Sequence, residues 1–406
     1  MNPEGRGKIT SGIMGGLLIL VIFAAPFSIA LSQSALALAL LLRVAQLTMG
    51  RRLTLTGLEA PLFLWLGWIV VTLPAATDPV ESLQHLKRWW LIPTVWLFAE
   101  AAGERFLRKL ALPALALGMT GVAIYGALQS FGMVEIAENF QRMKKLPLTT
   151  NPMTAGAIMM MGSLTLLSFL MRLERSWRTL LTAIAFALSF WVLILIQCRS
   201  CWMGFLGGVF LLLLLRKPRL APLLPLALIL ALVFAPPQYR ERFTSAFRPG
   251  KEYRSNWQRV YMWKTGWRIL KDHPVIGIGD RDLRAFYESY TPEEDRDKVI
   301  VYGHLHSNLV MFAVLWGVPG LALGFMFLVS ILMLQWKRWR ALKAAGGRGP
   351  PEAEAWILAG ISVWASFMIA GMFEWYFGDA EVILLLWAIT GLSLGIIKET
   401  HAPSSD

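Results

Sequence analysis

The sequence is poor in charged residues, which make up 16% of its 406 residues, whereas 56% are hydrophobic. A soluble domain needs a larger polar share to cover its surface, so this composition excludes an ordinary soluble protein. Uncharged apolar runs recur from end to end, each long enough to cross about 30 Å of hydrocarbon as a helix. The runs are too long for barrel strands, and open sheet edges cannot be satisfied in lipid. The sequence therefore predicts an all-α polytopic membrane protein.

Cysteine is also scarce, and the two present, Cys198 and Cys201, form a C-x-x-C pattern. A redox pair would need a surrounding thioredoxin-like βαβ unit, and a zinc site would need two further ligands nearby. Neither pattern is visible in the neighbouring sequence. We therefore interpret both cysteines as ordinary small residues of membrane helices.

The apolar runs divide the chain into spans and one large polar segment. Residues 1–236 are predicted to hold nine transmembrane helices, 237–306 one large loop, and 307–406 three more helices and a short tail. The twelve predicted spans are 12–31, 33–49, 58–76, 89–103, 107–128, 152–171, 179–198, 200–215, 219–236, 307–335, 355–373 and 380–397. The fourth is short for a full crossing.

The positions of Lys and Arg predict the orientation, because positive residues concentrate in short cytoplasmic loops. With the N-terminus inside, every short cytoplasmic turn is basic, as at Arg51 and Arg52 or Arg216 and Lys217. Both termini are therefore predicted to be cytoplasmic, with the 237–306 loop outside. The formal charge of +13 is spread over seven turns and mostly reflects this topology, so we expect no nucleic-acid partner.

Two residues at the outer membrane boundary are candidates for chemistry. Arg199 separates two spans with almost no loop, and a guanidinium at that depth is costly unless it is paired or binds an anion. His306 is the last polar residue before a span whose outer half contains Gly317 and Pro319, which allow a kink. It could simply cap the span, or it could take a proton from an attacking hydroxyl. His304, two residues earlier, is expected to contact substrate.

Other polar residues fall on the same predicted face. Arg142 and Lys145 precede a span, and Glu374 and Asp379 lie in the turn between the last two spans, where either acid could orient an Arg or His. We expect Arg142, Lys145 and Asp379 to help to bind substrate.

The large loop is rich in arginine. Residues 256–274 read as a helix ended by Pro274. Arg240 and Arg242 are expected in an exposed stretch that attracts anions at long range. Asp280 and Asp282 form a D-x-D pattern, but neighbouring arginines already supply partners for them, so we predict no metal site.

Three segments resemble one family of membrane enzymes. From His306 the sequence runs His-Ser, nine residues, then Gly317-Val-Pro-Gly320, which resembles the H[NSQ]-x9-G-x-x-[GTY] signature of bacterial O-antigen ligases and related O-oligosaccharyltransferases. "CRSCWMGFLGG" is similar to that family's Ser-Arg-Gly-x-Trp segment, with Cys198 in place of the usual Ser. "QRVYMWKTGWRILKDHPVIGIGD" is similar to its R-x3-W…(K/D)HP-x-x-G-x-G stretch. The resemblance covers roughly residues 140 to 395.

The resemblance implies an all-helical glycosyltransferase of the C class, variant B. It implies transfer of a glycan from undecaprenyl diphosphate to an acceptor on the periplasmic side of the bacterial inner membrane, without metal, ATP or other cofactor. Arg199 and Arg259 would then bind the diphosphate, and His306 would activate or position the acceptor.

Within that family the acceptor separates the members. O-antigen ligases use lipid A–core oligosaccharide, polymerases extend the glycan and usually have two prominent outer loops, and protein O-oligosaccharyltransferases tend to be longer. One large loop and a short C-terminal tail favour a ligase. A transporter is disfavoured because the charges gather at one rim, whereas transporters place them near the bilayer midplane. A non-catalytic scaffold would have no need of Arg199, Arg259 and His306 together.

Overall fold

The computed structural model of the chain describes residues 3–142, 146–172, 176–248, 254–293, 300 and 302–396. Every regular element within these residues is a helix, and none of them lies in a strand. The α-helices are α1 (Pro3–Ala24), α2 (Ile29–Thr48), α3 (Glu59–Thr72), α4 (Pro79–His85), α5 (Thr94–Ala101), α6 (Arg105–Ser130), α7 (Glu138–Arg142), α8 (Pro152–Leu170), α9 (Trp177–Ile196), α10 (Arg199–Arg216), α11 (Leu223–Phe234), α12 (Pro237–Thr244), α13 (Arg254–Asp272), α14 (Arg284–Tyr290), α15 (Asn308–Ala344), α16 (Ala353–Gly371) and α17 (Ala380–Gly395). The all-α prediction is confirmed.

Seven of the described helices, α2, α6, α8, α9, α10, α15 and α16, are long and apolar enough to cross a membrane. Shorter apolar helices cover Thr10–Ala24, Glu59–Ala75, Leu223–Phe234 and Ala380–Gly395. Where a span was predicted at 89–103, the chain forms a 3-10 helix, Leu86–Leu91, followed by the short α5, because Pro93 interrupts the backbone between them. The protein is thus a multi-pass membrane protein, whereas the count of twelve and the glycosyltransferase variant stay predictions.

Helices α8 and α16 lie at the centre, with 78% of the most apolar window of each buried. Helix α10 packs against α16 through glycines that leave room for the opposing backbone. An added Cβ would lie 2.7 Å from the Ser366 carbonyl oxygen at Gly204, and 3.1 Å from that of Ser362 at Gly208. Close approach through small residues is the usual way in which membrane helices gain packing energy. The close packing of α10 against α16 fixes the N-terminal end of α10, which carries Arg199, relative to the end of α16.

Helix α15 is broken at Gly317, which has φ 69° and ψ −174°. The sequence predicted a kink here, because Pro319 follows two residues later and glycine accepts positive φ. An added Cβ at Gly317 would overlap the carbonyl of Val275, so the break also serves as a contact surface.

The segment after α13 fills that break. Its backbone pairs with peptide groups that the interrupted helix leaves free: Ile278 N to Val314 O (3.0 Å), Gly279 N to Leu315 O (3.0 Å) and Val318 N to Pro274 O (2.8 Å). The Trp68 indole donates to the Trp316 carbonyl oxygen at 2.9 Å. Buried peptide groups need such partners. Consequently two of the three family-like segments, residues 258–280 and residues 306–320, form a single structural unit.

Among the described residues between α11 and α15, three segments are α-helices: α12, α13 and α14. Helix α13 ends at Asp272, just before Pro274, as the sequence predicted. It packs along α15, and α12 turns back towards the short connection between α9 and α10. These contacts bring polar residues of the region to the ends of α10 and α16.

Candidate active site

Three arginines from three different helices share one cavity of about 250 Å³. They are Arg199 at the start of α10, Arg242 on α12 and Arg259 on α13. The remaining lining residues are apolar or neutral: Met153, Ser200, Met203, Ala246, Phe247, Asn256, Val260, Trp263 and Phe373. No acidic residue lines the described part of this cavity. A concave site with converging guanidinium groups and no carboxylate is suited to an anion.

Arg199 reaches the cavity because α9 and α10 are joined by only two residues. Gln197 adopts a left-handed conformation (φ 58°, ψ 31°) at the end of α9, and Cys198 occupies the N-cap position of α10 with extended φ and ψ. The Arg199 guanidinium donates to Ser245 Oγ (3.0 Å), Ser255 Oγ (2.7 Å) and Asn256 Oδ1 (2.6 Å). These partners are all neutral, and Arg199 is only 7% exposed. Its hydrogen-bonding groups are therefore oriented while its charge remains available to a ligand.

Arg242 and Arg259 are held by backbone carbonyls. Arg242 Nε donates to Gln197 O at 3.1 Å, and Arg259 Nε donates to Phe373 O at 3.0 Å. Burial lowers the pKa of Arg242 from its ordinary value, and the charge of Arg259 lowers it further. The two cations thus repel each other across the cavity, and a bound anion would relieve that repulsion.

His306 and Glu374 form a close pair next to this cavity. His306 Nδ1 lies 2.7 Å from Glu374 Oε1, and Arg259 Nη2 lies 3.9 Å from Glu374 Oε2. His306 itself has a φ of 46°, which is unusual for a residue with a side chain. The next residue, Ser307, caps α15 by accepting from Val310 N, so the imidazole is held just outside the helix start. Unusual backbone geometry of this kind is frequent at functional sites.

The charges of this group follow from its burial. Burial by itself would raise the pKa of Glu374, but the hydrogen bond from His306 and the charges of His306, His304 and Arg259 lower it to about 2. Burial lowers the pKa of His304 to about 4, although the nearby Glu374 opposes this shift. At neutral pH Glu374 is therefore ionised and His304 is uncharged. The His306 backbone N–H donates to His304 Nδ1 at 3.3 Å, which is consistent with an uncharged His304.

Comparison with protein families places part of this site in a known group. Residues 184–325 match the model of the O-antigen ligase family. The chain therefore carries an O-antigen ligase family region. The match confirms the predicted resemblance and runs from within α9 to within α15. A search of curated proteins gave no match.

The family region contains most of the site, but not all of it. Arg199, Arg242, Arg259 and His306 lie inside residues 184–325, whereas Glu374 lies beyond it, after α16. The O-antigen ligase region therefore supplies the cationic cavity and the imidazole, and a later segment supplies the carboxylate that joins them.

The predicted site residues separate into three groups. Arg199 and Arg259 share the cavity, and His306 and His304 meet Glu374, which in turn contacts Arg259. Asp379 lies elsewhere in its turn and accepts a hydrogen bond from Thr154 Oγ1 at 2.8 Å. Burial raises the pKa of Asp379 to about 7 against that hydrogen bond, and the charges of Glu374 and Glu381 add to the increase. Lys145 and the side chain of Arg142 lie outside the described residues. The roles of all these residues stay predictions.

Arg242 is the cavity residue that sequence reasoning missed. We expected an exposed stretch around Arg240 and Arg242, and Arg240 is indeed exposed, but Arg242 is half-buried and lines the cavity. The expectation for Arg242 was wrong because α12 folds back onto Gln197, a contact between distant segments that leaves no local pattern. The helical period of "YRER" does separate the faces of residues 240 and 242, which was the available signal.

Among the described residues, His304, His306 and Glu374 are the group whose ligand atoms could hold a metal ion, lying within 4.8 Å of one another. Two imidazoles and a carboxylate form a common zinc ligand set. However, Arg259 already approaches Glu374, and His306 and Glu374 are at hydrogen-bond distance. The absence of metal from the reaction stays a prediction.

Proposed function

We propose that the protein transfers O-antigen polysaccharide from undecaprenyl diphosphate to the lipid A–core oligosaccharide, on the periplasmic face of the bacterial inner membrane. The family match indicates O-antigen ligase or polymerase-type activity, and the specific donor and acceptor are our proposal. The observation that carries it is the cavity of three arginines joined through Glu374 to His306. A cation cluster beside a positioned imidazole suits displacement of an anionic leaving group by a hydroxyl.

The arginine cavity would bind the diphosphate. Each guanidinium group can donate two parallel hydrogen bonds to diphosphate oxygens. Two or three such groups would balance the negative charge that grows on the diphosphate as the glycosidic bond breaks. Diphosphate becomes a good leaving group once cations neutralise it, so a metal ion is not obligatory.

An apolar groove beside the cavity supports a lipid-linked donor. The groove has a volume of about 520 Å³, lies between α9, α10 and α11, and reaches Tyr239 and Phe243 on α12. Phe243 follows Arg242, and α10 contributes to both the groove and the cavity. A charged cavity adjacent to an apolar groove fits an amphiphile with an anionic head and a polyprenyl tail.

His306 would activate the acceptor. When the neutral imidazole donates its Nδ1–H to Glu374, its Nε2 lone pair can accept the proton of an acceptor hydroxyl. The hydroxyl oxygen would then form a bond to the anomeric carbon as the bond to the diphosphate breaks, with inversion at that carbon. The Glu374 carboxylate would stabilise the imidazolium that forms. Glu374 is thus a positioning residue, and His306 the catalytic base.

The direct test is transfer by purified protein in liposomes that contain undecaprenyl-diphosphate-linked O-antigen and lipid A–core. We expect glycan-bearing lipid A–core to form, and formation to persist in excess EDTA. Longer donor glycans without modified core would identify a polymerase instead. Modified protein would identify a protein O-oligosaccharyltransferase, and donor movement across the bilayer without transfer would identify a transporter.

A further inference from the structure

Two thiols lie together on either side of Arg199 and Ser200, which line the arginine cavity. Cys198 Sγ and Cys201 Sγ are 2.9 Å apart, and the two residues are 1% and 0% exposed. They are not bonded in the structure. A disulfide bond has an S–S length of about 2.05 Å, so the sulfur atoms need to approach by less than about 1 Å. The two sulfur atoms are therefore already close to bonding distance.

The backbone around the pair favours such a bond. Cys198 caps α10 with extended φ and ψ, and Cys201 lies in the first helical turn. This is the position of C-x-x-C pairs in thiol–disulfide proteins, where the helix N-terminus stabilises the thiolate of the first cysteine. The sequence contains no βαβ unit that would indicate a thioredoxin-like pair, but the geometry at the start of α10 brings the two thiols together without one.

The surroundings hold both thiols in place. Cys198 Sγ lies 3.3 Å from Ser200 Oγ, and Cys201 Sγ lies 3.1 Å from the Tyr376 hydroxyl. Helix α8 closes the other side, since a Cβ added at Gly156 would lie 2.8 Å from Cys201 Sγ. The pair is thus packed between α8, α10 and the turn that carries Glu374.

We infer that Cys198 and Cys201 form a disulfide in the mature protein and that this bond fixes the turn that presents Arg199. The residues enclosed by the bond are Arg199 and Ser200, and both line the cavity. The inference rests on the proposed function in one respect: the periplasmic orientation places the pair on the oxidising side of the membrane.

The oxidant is a disulfide on another molecule, such as a periplasmic thiol–disulfide oxidoreductase. The Cys198 thiolate attacks that disulfide, which forms a mixed disulfide and releases one thiolate. The Cys201 thiolate then attacks Cys198 Sγ, which forms the internal bond and releases the second thiolate. Two protein thiols are oxidised, one external disulfide is reduced to two thiols, and two protons leave the protein. Because the pair is buried in the folded chain, oxidation occurs during assembly, and packing afterwards protects the bond.

The bond would matter to donor binding through Arg199. A cross-link across the first turn of α10 limits the motion of the backbone that positions the guanidinium, and a preorganised group binds its ligand with less loss of entropy. Reduction should therefore weaken binding of the diphosphate without removing any contact to it. We expect the dissociation constant for undecaprenyl diphosphate to rise on the order of threefold.

Counting thiols tests the bond independently of any activity. The chain has two cysteines, so protein purified without reductant and alkylated after denaturation should gain no label, and after reduction it should gain two. Two labels without prior reduction would overturn the inference, whether or not the protein transfers glycan. Failure of the transfer assay with zero labels would leave the disulfide established and the proposed function rejected.

Serine variants test the consequence for binding. Cys198→Ser/Cys201→Ser keeps small polar side chains of similar size at both positions but cannot form a disulfide. Wild type assembled in reductant, with two free thiols by the label count, should bind undecaprenyl diphosphate as weakly as this variant, and the variant should bind equally whether it is assembled with or without reductant. Equal binding by oxidised wild type, fully reduced wild type and variant would overturn the role assigned to the bond.

Discussion

At the scale of single residues, Glu374 connects the two parts of the site. Its Oε1 lies 2.7 Å from His306 Nδ1, and its Oε2 lies 3.9 Å from Arg259. A buried carboxylate between an imidazole and a guanidinium keeps its negative charge and fixes the tautomer of the histidine. Removal of the imidazole and removal of the carboxylate charge should therefore have different effects.

His306→Ala should lower turnover by at least about 100-fold, because it removes the base that accepts the acceptor proton. Glu374→Gln keeps the shape of the side chain but loses its charge, so turnover should fall less than in His306→Ala. Donor-lipid binding, measured in parallel, should persist in His306→Ala because the arginine cavity remains. Near-normal transfer by purified His306→Ala would remove the residue from the mechanism.

The uncharged state of His304 predicts a pH dependence of stability. Its pKa falls from 6.5 when unfolded to about 4 in the folded protein, so the unfolded chain binds the proton more readily between these values. Stability should be independent of this group above pH 6.5 and should fall as the pH drops from 6.5 towards 4. The pKa of Glu374 is lowered from 4.5 to about 2, so this residue keeps its full contribution to stability above pH 4.5 and loses it progressively as the pH falls from 4.5 to 2.

Between pH 6.5 and 5, comparison with a variant separates His304 from Asp379, whose raised pKa of about 7 gives an opposite pH dependence of stability that both proteins share. Thermal unfolding midpoints of wild type and His304→Gln, measured across that window in the same detergent, should converge as the pH falls because only the wild type loses stability through this group. Parallel curves for the two proteins would show that His304 is not held uncharged.

At the scale of elements, the unit formed by the broken α15 and the segment after α13 positions the site. The sequence predicted the interruption of α15 from Gly317 and Pro319, and it predicted the end of α13 from Pro274. It did not predict that the segment after α13 would fill the break in α15, because pairing of distant backbone groups leaves no periodic signal. For the same reason the position of α12, and with it Arg242, could not be predicted.

Gly317→Ala should destabilise the protein strongly, because a Cβ there meets the Val275 carbonyl in addition to the strain of positive φ. Gly346→Ala is a matched control, since Gly346 also has positive φ (67°) but open space around it. The control should lose only the conformational cost, about 1–2 kcal/mol. Denaturation midpoints of both variants and the wild type give the comparison, and equal losses would show that the contact with Val275 is not restrictive.

Helix α12 offers a second matched pair. Arg242→Gln removes a charge that lines the cavity, so donor-lipid binding should weaken about tenfold or more at both low and high salt. Arg240→Gln removes an exposed charge on the same helix, and its effect should be small and confined to low salt, where the Debye length is long.

At the start of α10, Arg199→Lys keeps the positive charge but loses the forked guanidinium, so this variant should also bind donor lipid poorly.

These variants would be compared by donor-lipid binding at two ionic strengths. Two results would show that α12 acts only through long-range attraction. One is that Arg242→Gln binds donor lipid as tightly as the wild type, and the other is that Arg240→Gln and Arg242→Gln lose binding equally and only at low salt.

At the scale of the whole molecule, composition was sufficient to predict an all-helical membrane protein, since apolar runs and the need to pair every backbone group leave few alternatives. The number of spans was harder to predict, because Pro93 divides one apolar stretch into two short helices and several apolar helices are short. The individual members of the site were largely visible as isolated polar residues at span ends. Their arrangement depends on how α10, α13, α15 and α16 pack, which sequence periodicity does not encode.

The arginine cavity is the proposed diphosphate site, and a structure with the donor headgroup bound tests this assignment most directly. Purified protein in lipid nanodiscs, saturated with undecaprenyl diphosphate, would be imaged by electron cryomicroscopy. We predict diphosphate density within hydrogen-bond distance of Arg199, Arg242 and Arg259, with the lipid tail entering the apolar groove beside α11. Diphosphate density outside this cavity, with the three guanidinium groups unchanged, would contradict the account.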